Sequence, residues 1–196
     1  MRVKGAAFLA RRREIIEQFG QERWERFRRE LAERDPLFDD ALFLTSRVPL
    51  DTFLRMHEAL VSEFYGGDER SYFESGRAAA SWALVSGPYA KAFAAGGDAR
   101  ELMTTVPAKL WRTYFDFGRF EVAIEGDEIL VDVTGLPREH AYFELAVAGY
   151  MERALELLGA REISHRLSRP GPGHLRWVFT LRAIDDLSAG DGPASG

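Results

Sequence analysis

The side chains able to do chemistry are few, and their spacing limits what they can do. Among 196 residues there are four histidines and no cysteine. The missing thiols remove disulfides, thiolate nucleophiles, iron–sulfur clusters and thiolate zinc sites together. His165 and His174 flank one hairpin loop. With Arg169 paired to His174, His165 falls opposite Val178, and the two imidazoles stand about 13 Å apart at roughly 3.3 Å per residue. They cannot share a metal within the hairpin. His140 and Glu144, at i and i+4, make half of a metal site, an arrangement common by chance. His57 lies in the apolar stripe of a helix, where an imidazole is either a satisfied core group or a polar handle projecting into a pocket. Trp111, Tyr114, Phe115 and Phe117 crowd into seven residues. Such density serves a core as a rule, and a ligand pocket otherwise. No Gly-rich phosphate loop or Gly-x-Ser-x-Gly elbow occurs, and the carboxylates are scattered. Nothing here argues for an enzyme or a metal site.

Composition narrows the classes further. An apolar fraction of 46% with 14 Phe is ample for a packed core in a chain of this length. The net charge of −5 speaks against a general nucleic-acid binder. No apolar run approaches the roughly 18 residues of a membrane span, and the start Met-Arg-Val-Lys-Gly leads into a charged helix. A cytoplasmic location is the expectation.

The elements that must position these residues are legible from periodicity. Phe120, Val122 and Ile124, then Ile129, Val131 and Val133, alternate with polar neighbours around a Gly126-Asp127 turn, predicting a hairpin with one buried face. Ala141–Leu158 reads as the long helix covering that sheet, with Tyr142 and Tyr150 on its apolar side. Gly149 within it implies that a sheet or a ligand packs closely there, since glycine costs about 1 kcal/mol relative to Ala in a helix. Arg161–Ser168 and His174–Arg182 predict a second hairpin around a loop at 169–173. Upstream, helices are expected at Gly5–Phe19 and Glu22–Arg34, with Arg11 on the polar side of the first. Leu37–Leu44 reads as a short helix or turn. Further helices are expected at Thr52–Tyr65, capped by Asp51, and at Glu69–Val85, capped by Asp68. Short helices follow at Pro88–Ala95, Asp98–Val106 and Pro107–Phe117. The fold class is α+β: a helical N-terminal half packed with an antiparallel sheet of two hairpins flanking a long helix, hairpin–helix–hairpin over 119–182. Residues 1–184 form a single domain. Residues 1–34, with ten Lys/Arg against six Asp/Glu, read as a possible appended amphipathic pair, and 185–196 as a disordered tail.

This layout resembles a superfamily. A helical N-terminal half, Trp-Arg-x-Tyr-x-Asp-x-Gly before a hairpin, a long Gly-containing helix and a closing hairpin are similar to the 4-vinyl-reductase-like and haem-nitric-oxide-binding fold, shared with the TRAPP tethering subunits. Val3-Lys4-Gly5 before a helix and Leu110-Trp111-Arg112…Tyr114…Gly118 also resemble a myxobacterial family of about this length. The resemblance covers roughly residues 3–182. It implies one of three roles: binding an apolar or aromatic small molecule, binding haem, or acting as a dimeric scaffold. The chain departs from it in specific places. The cysteine cluster that holds zinc in vinyl-reductase-like sensors is absent from Ile163–Phe179, and no cysteine can be acylated as in some tethering subunits. Haem-binding relatives use Tyr-x-Ser-x-Arg for the propionates and a helical proximal His. Here the nearest string, Glu162-Ile163-Ser164-His165-Arg166, lacks the Tyr, and His57 or His140 qualifies only by position.

The leading expectation is therefore a non-enzymatic small-molecule-binding or sensory domain, without cofactor, taking an apolar or aromatic ligand. Trp111, Tyr114, Phe115, Tyr142 and Tyr150 would line the pocket, with His57 as polar handle. The alternative is a homodimeric interaction scaffold with a protein partner and no ligand, and the third reading is a haem-based gas sensor.

Overall fold

The computed structural model describes residues 1–38, 42–87, 89–91 and 98–182. The expected tail at 185–196 and most of the expected Pro88–Ala95 helix lie outside the described residues. The chain forms two compact units, one of residues 1–71 and 112–117, the other of 72–111 and the chain from 118 onward.

In the first unit, β1 (Arg2–Lys4) pairs antiparallel with β2 (Arg47–Pro49), setting Val3 against Val48. Helix α1 (Gly5–Phe19) and helix α2 (Gln21–Arg34) follow β1, and Pro36–Phe38 make one 3-10 turn. Helix α3 (Leu50–Tyr65) follows β2. Asp51 was the expected cap of α3, but the helix begins two residues earlier than expected, with Pro49 in the cap position. The reason is tertiary: Leu50 is buried, and its N–H donates to the Met1 carbonyl at 3.2 Å. The Met1 carbonyl thus satisfies one of the helix's first N–H groups, which have no partner within the helix. Aromatic rings dominate this core, with Phe8 edge-on to Trp24 at 6.0 Å and Phe27 to Phe64 at 5.4 Å. Arg11 departs from expectation. It lies on the buried stripe with Phe8 and Ile15, three and four residues away, and is 3% exposed.

The second unit is built on helix α4 (Arg70–Ser81), helix α5 (Ala99–Tyr114), strands β3 (Arg119–Glu125) and β4 (Glu128–Thr134), helix α6 (Ala141–Leu157), and strands β5 (Arg161–Gly171) and β6 (His174–Arg182). Asp68 accepts the Arg70 N–H at 3.0 Å, as its expected capping role requires. A π-helical turn at Trp82–Ser86 extends α4. Two short helices were expected where α5 runs, broken at Pro107. The helix continues through Pro107 because Met103, Val106, Pro107, Leu110 and Trp111 share a buried face. That burial outweighs the lost hydrogen bond. The four strands form one antiparallel sheet in the order β3-β4-β6-β5. Its buried face carries Phe120 from β3, Ile129, Val131 and Val133 from β4, and Leu175, Trp177 and Phe179 from β6. Helix α6 packs on the sheet, nearest β5.

Helices α4 and α6 meet backbone to backbone. A methyl group at Gly76 would lie 2.1 Å from the Ala146 carbonyl oxygen, and one at Gly149 would lie 2.0 Å from that of Phe73. Arg77 bridges the crossing to Glu152 and Glu156, each at 2.8 Å. Arg153 returns to the Ser81 hydroxyl at 3.0 Å. What packs against Gly149 is thus neither the sheet nor a ligand, as expected, but the backbone of a neighbouring helix.

The second hairpin is longer than expected. β5 continues through Pro170 to Gly171, which pairs with His174, so His165 stands opposite Phe179 rather than Val178. Pro170 is tolerated because β5 is an edge strand, where a missing N–H breaks no ladder.

Candidate functional site

The six residues nominated from sequence divide three and three between the units. In the first unit, His57 occupies the middle of the buried α3 stripe and is 2% exposed. Its ring meets Phe53 edge-on at 4.4 Å, and Phe53 meets Phe115 at 6.5 Å. Tyr114 and Phe115 are half-buried. In the second unit, Trp111 packs against Phe120 at 5.7 Å and Phe143 at 6.0 Å. Tyr142 touches Phe143 at 5.4 Å and Tyr72 at 5.8 Å. Tyr150 is half-buried two turns further along α6. The structure thus joins His57 to Phe115 through Phe53, and Trp111 to Tyr142 through Phe143.

The other three imidazoles have defined local work. His140 caps α6, its Nδ1 accepting the Tyr142 N–H at 3.0 Å. Nδ1 is thereby committed to the helix end. Its supposed partner Glu144 is instead gripped by the Nε and Nη2 of Arg169, at 3.2 and 2.6 Å. His165 lies between Phe73, stacked at 6.4 Å, and Phe179 at 5.3 Å. His174 points to the opposite face of the sheet, where its Nε2 reaches Asp132 at 2.5 Å.

That opposite face carries a cluster no sequence spacing predicted. Asp132 also accepts Nε and Nη2 of Arg176, at 2.8 and 3.0 Å. Burial pushes the Asp132 carboxyl up, but the hydrogen bonds from Arg176 and His174 outweigh it and hold the group below its ordinary 3.8. With Arg176 and His174 hydrogen-bonded to its oxygens, Asp132 ties β4 to β6 and is no free base. Glu156 is lowered from 4.5, first by its hydrogen bond from Arg77 and then by Arg153. Asp35 is raised by burial yet lowered overall by the Leu37 N–H, Thr52 and Arg55. Each perturbed carboxylate is explained by an ion pair within the fold. Among the described residues, no group of three or more His, Asp and Glu side chains could hold a metal ion, and no helix is long and apolar enough to cross a membrane.

Sequence reasoning missed Arg11, although its position three residues after Phe8 and four before Ile15 marked it. The Asp132–His174–Arg176 cluster left no such signal, because it depends on the pairing of β4 with β6.

No family model matches the chain, and no curated protein matches it. Solved structures do. An Fe(II) unliganded H-NOX protein mutant from K. algicida superimposes with a TM-score of 0.70 at 12% identity, over 92% of this chain and 97% of that one. An H-NOX protein from S. oneidensis in the Fe(II) state gives 0.66 at 14% identity, over 92% and 96%. A structure solved to probe haem distortion in the H-NOX family gives 0.67 at 14% identity, over 97% and 100%. At such identity the likeness speaks for architecture alone. This α+β chain has the H-NOX fold, the haem-nitric-oxide-binding one among the folds its sequence resembles.

Proposed function

We propose that the chain is a non-enzymatic ligand-binding domain with a sensory or regulatory role. The observation that carries this reading is the H-NOX architecture over 92% of the chain, since the matched proteins are described by the ligation state of their Fe(II), and one was solved to probe haem distortion. A fold lends a scaffold and not an activity, so the residues of this chain decide what is held.

Haem is the finer reading that those neighbours favour, and the residues present fit it poorly. An axial ligand needs an imidazole nitrogen free to bind iron. His140 caps a helix, His165 is packed between rings on a strand, and His174 is held by Asp132. Helix α5, which leads into the first hairpin, has no histidine at all. His57 is the one imidazole within a helix, but its ring is buried and packed edge-on to Phe53 at 4.4 Å. Nor does the nearest propionate string serve. Ser164 and Arg166 alternate with His165, which pairs with buried Phe179, so both project from the exposed face. We therefore read the ligand as a colourless small molecule with an apolar body.

The test is native mass spectrometry of the purified protein, expressed with ample haem, together with its absorbance spectrum. A non-covalent mass released on denaturation, without a Soret band, supports the proposal. A Soret band would replace it with the haem-sensor reading, and a clean apo protein would move the weight to an interaction scaffold.

A further inference from the structure

Only one face of the β3-β4-β6-β5 sheet is buried. Phe120, Trp177 and Phe179 point to that face, where helix α6 packs. Alternation sends their neighbours to the other face, and the strand registers line those up in rows. The middle row is Ala123, Leu130, Val178 and Arg166. On one side of it run Glu121, Asp132, Arg176 and Ser168, and on the other Glu125, Glu128, Thr180 and Ser164. The members from β3 and β5 are exposed, and Leu130 and Val178 are half-buried. Among the described residues, nothing covers this face.

Charge is divided across it. β3 and β4 contribute Glu121, Glu125, Glu128 and Asp132 against Arg119 alone. β5 and β6 contribute Arg166 and Arg176, and Arg161 joins them because it pairs with Arg182, two residues beyond Thr180. The one carboxylate of these two strands, Glu162, falls in the β5 bulge outside the register. Asp132 and Arg176 neutralise each other at the midline. Glu128 and Arg166 have no ion pair among the described residues. An acidic half, an apolar midline and a basic half together match the same face turned over. A two-fold axis along the strands, between β4 and β6, lays β3 of one copy over β5 of the other. It seats Leu130 on Val178 of the second copy and brings Arg166 over Ala123, between Glu121 and Glu125. A two-fold across the strands would set β3 on β3 and carboxylates on carboxylates, which like-charge repulsion disfavours. The charge pattern therefore selects the symmetry.

We propose that the chain forms a two-fold dimer through the open face of its sheet. Leu130 and Val178 make the centre, and Glu121, Glu125 and Glu128 of each copy face Arg161 and Arg166 of the other. Two sheets stacked this way lie about 10 Å apart, with strands within about 30° of each other. Four strands spaced about 4.8 Å apart offer a small area. It falls below the roughly 1,200 Å² of stable complexes, so the dimer is transient. None of the residues nominated for ligand binding takes part, and the dimer forms with or without a bound molecule.

The test is sedimentation equilibrium of the full chain from micromolar to millimolar concentration. The wild type is expected to show a monomer–dimer equilibrium that weakens as salt screens the exposed charges. Arg166→Glu and Glu125→Arg, both surface changes, should each weaken association at least tenfold and leave the melting temperature unchanged. Mixed in equal amounts, the two variants should recover most of the lost affinity. One contact in the mixed dimer is then wild type and the other has its charges exchanged, a rescue that no role in folding would produce. Leu130→Asp should abolish the dimer. Arg26→Glu, an exposed change on α2, should leave it intact. A wild type that stays monomeric throughout overturns the proposal, including one that dimerises only after removal of residues 183–196. A dimer indifferent to Arg166→Glu, or a mixture no tighter than its parts, overturns it equally. Loss of the dimer in Arg26→Glu alone would move the interface to the N-terminal helices and overturn it too.

Discussion

Placing a single methyl group at Gly149 should destabilise the chain, although helix propensity alone predicts the reverse. In an exposed helix, Gly→Ala gains about 1 kcal/mol. Here the new carbon would sit 2.0 Å from the Phe73 carbonyl oxygen and 2.8 Å from its carbon, where ordinary contact begins at 3.4 Å. The obstacle is backbone and cannot swing aside, so α4 and α6 would have to separate by about 1.4 Å to restore ordinary contact. Arg77, bound to Glu152 and Glu156, and Arg153, bound to Ser81, resist that movement. Overpacking typically costs about 1–3 kcal/mol, and a backbone clash of this size belongs at or above the upper end. Set against the propensity gain, the net loss is about 2 kcal/mol, or a fall in Tm of roughly 4–8 °C for a chain of this size. Circular dichroism melting of Gly149→Ala beside Gly171→Ala gives the comparison. A methyl at Gly171 meets nothing within 4 Å, so that variant should stay near wild type. The double variant Gly76→Ala/Gly149→Ala should cost less than the sum of the singles, because one separation relieves both contacts. A Gly149→Ala protein that melts above wild type would refute the backbone crossing.

Other consequences follow from the same geometry. Asp132, Glu156 and Asp35 all have folded pKa values below their ordinary ones. Their contribution is present above about pH 4 and is lost as pH falls through the depressed values. Urea midpoints should therefore drop on acidification below about pH 4, and more shallowly in Asp132→Asn; an identical slope would count against the Asp132 pairing. Gly173 combines a φ of +64° with a would-be Cβ 2.4 Å from the Leu136 carbonyl oxygen. Gly173→Ala should cost more than about 1 kcal/mol by αL strain and clash together. A neutral result there would place the β5–β6 turn away from Leu136.

What was legible in the sequence followed local periodicity. The Arg119–Thr134 hairpin and the long helix were readable because alternation and an apolar face repeat over many residues. The breaks that failed were those where tertiary burial overrode a local signal. Pro107 does not end α5 because its neighbours share a buried face, and Pro170 does not end β5 because an edge strand needs no N–H there. Asp51 lost its cap because the Met1 carbonyl satisfies Leu50. The candidate site was less legible than the fold. The aromatic residues could be nominated, but their grouping depends on Phe143, which no spacing singled out, as well as on Phe53, which helical spacing does put one turn from His57. Arg11 was misplaced because arginine is so rarely buried that its type outweighed its position. Which guanidinium edges are filled is set by partners remote in sequence, as with Arg169 and Glu144.

We propose that this fold holds a small molecule without haem. The measurement that tests it most directly is native mass spectrometry, with an absorbance spectrum of the same haem-supplied sample. The claim predicts a bound mass that leaves on denaturation and no Soret band. A Soret band carrying the haem mass would contradict it, as would a protein that remains apo.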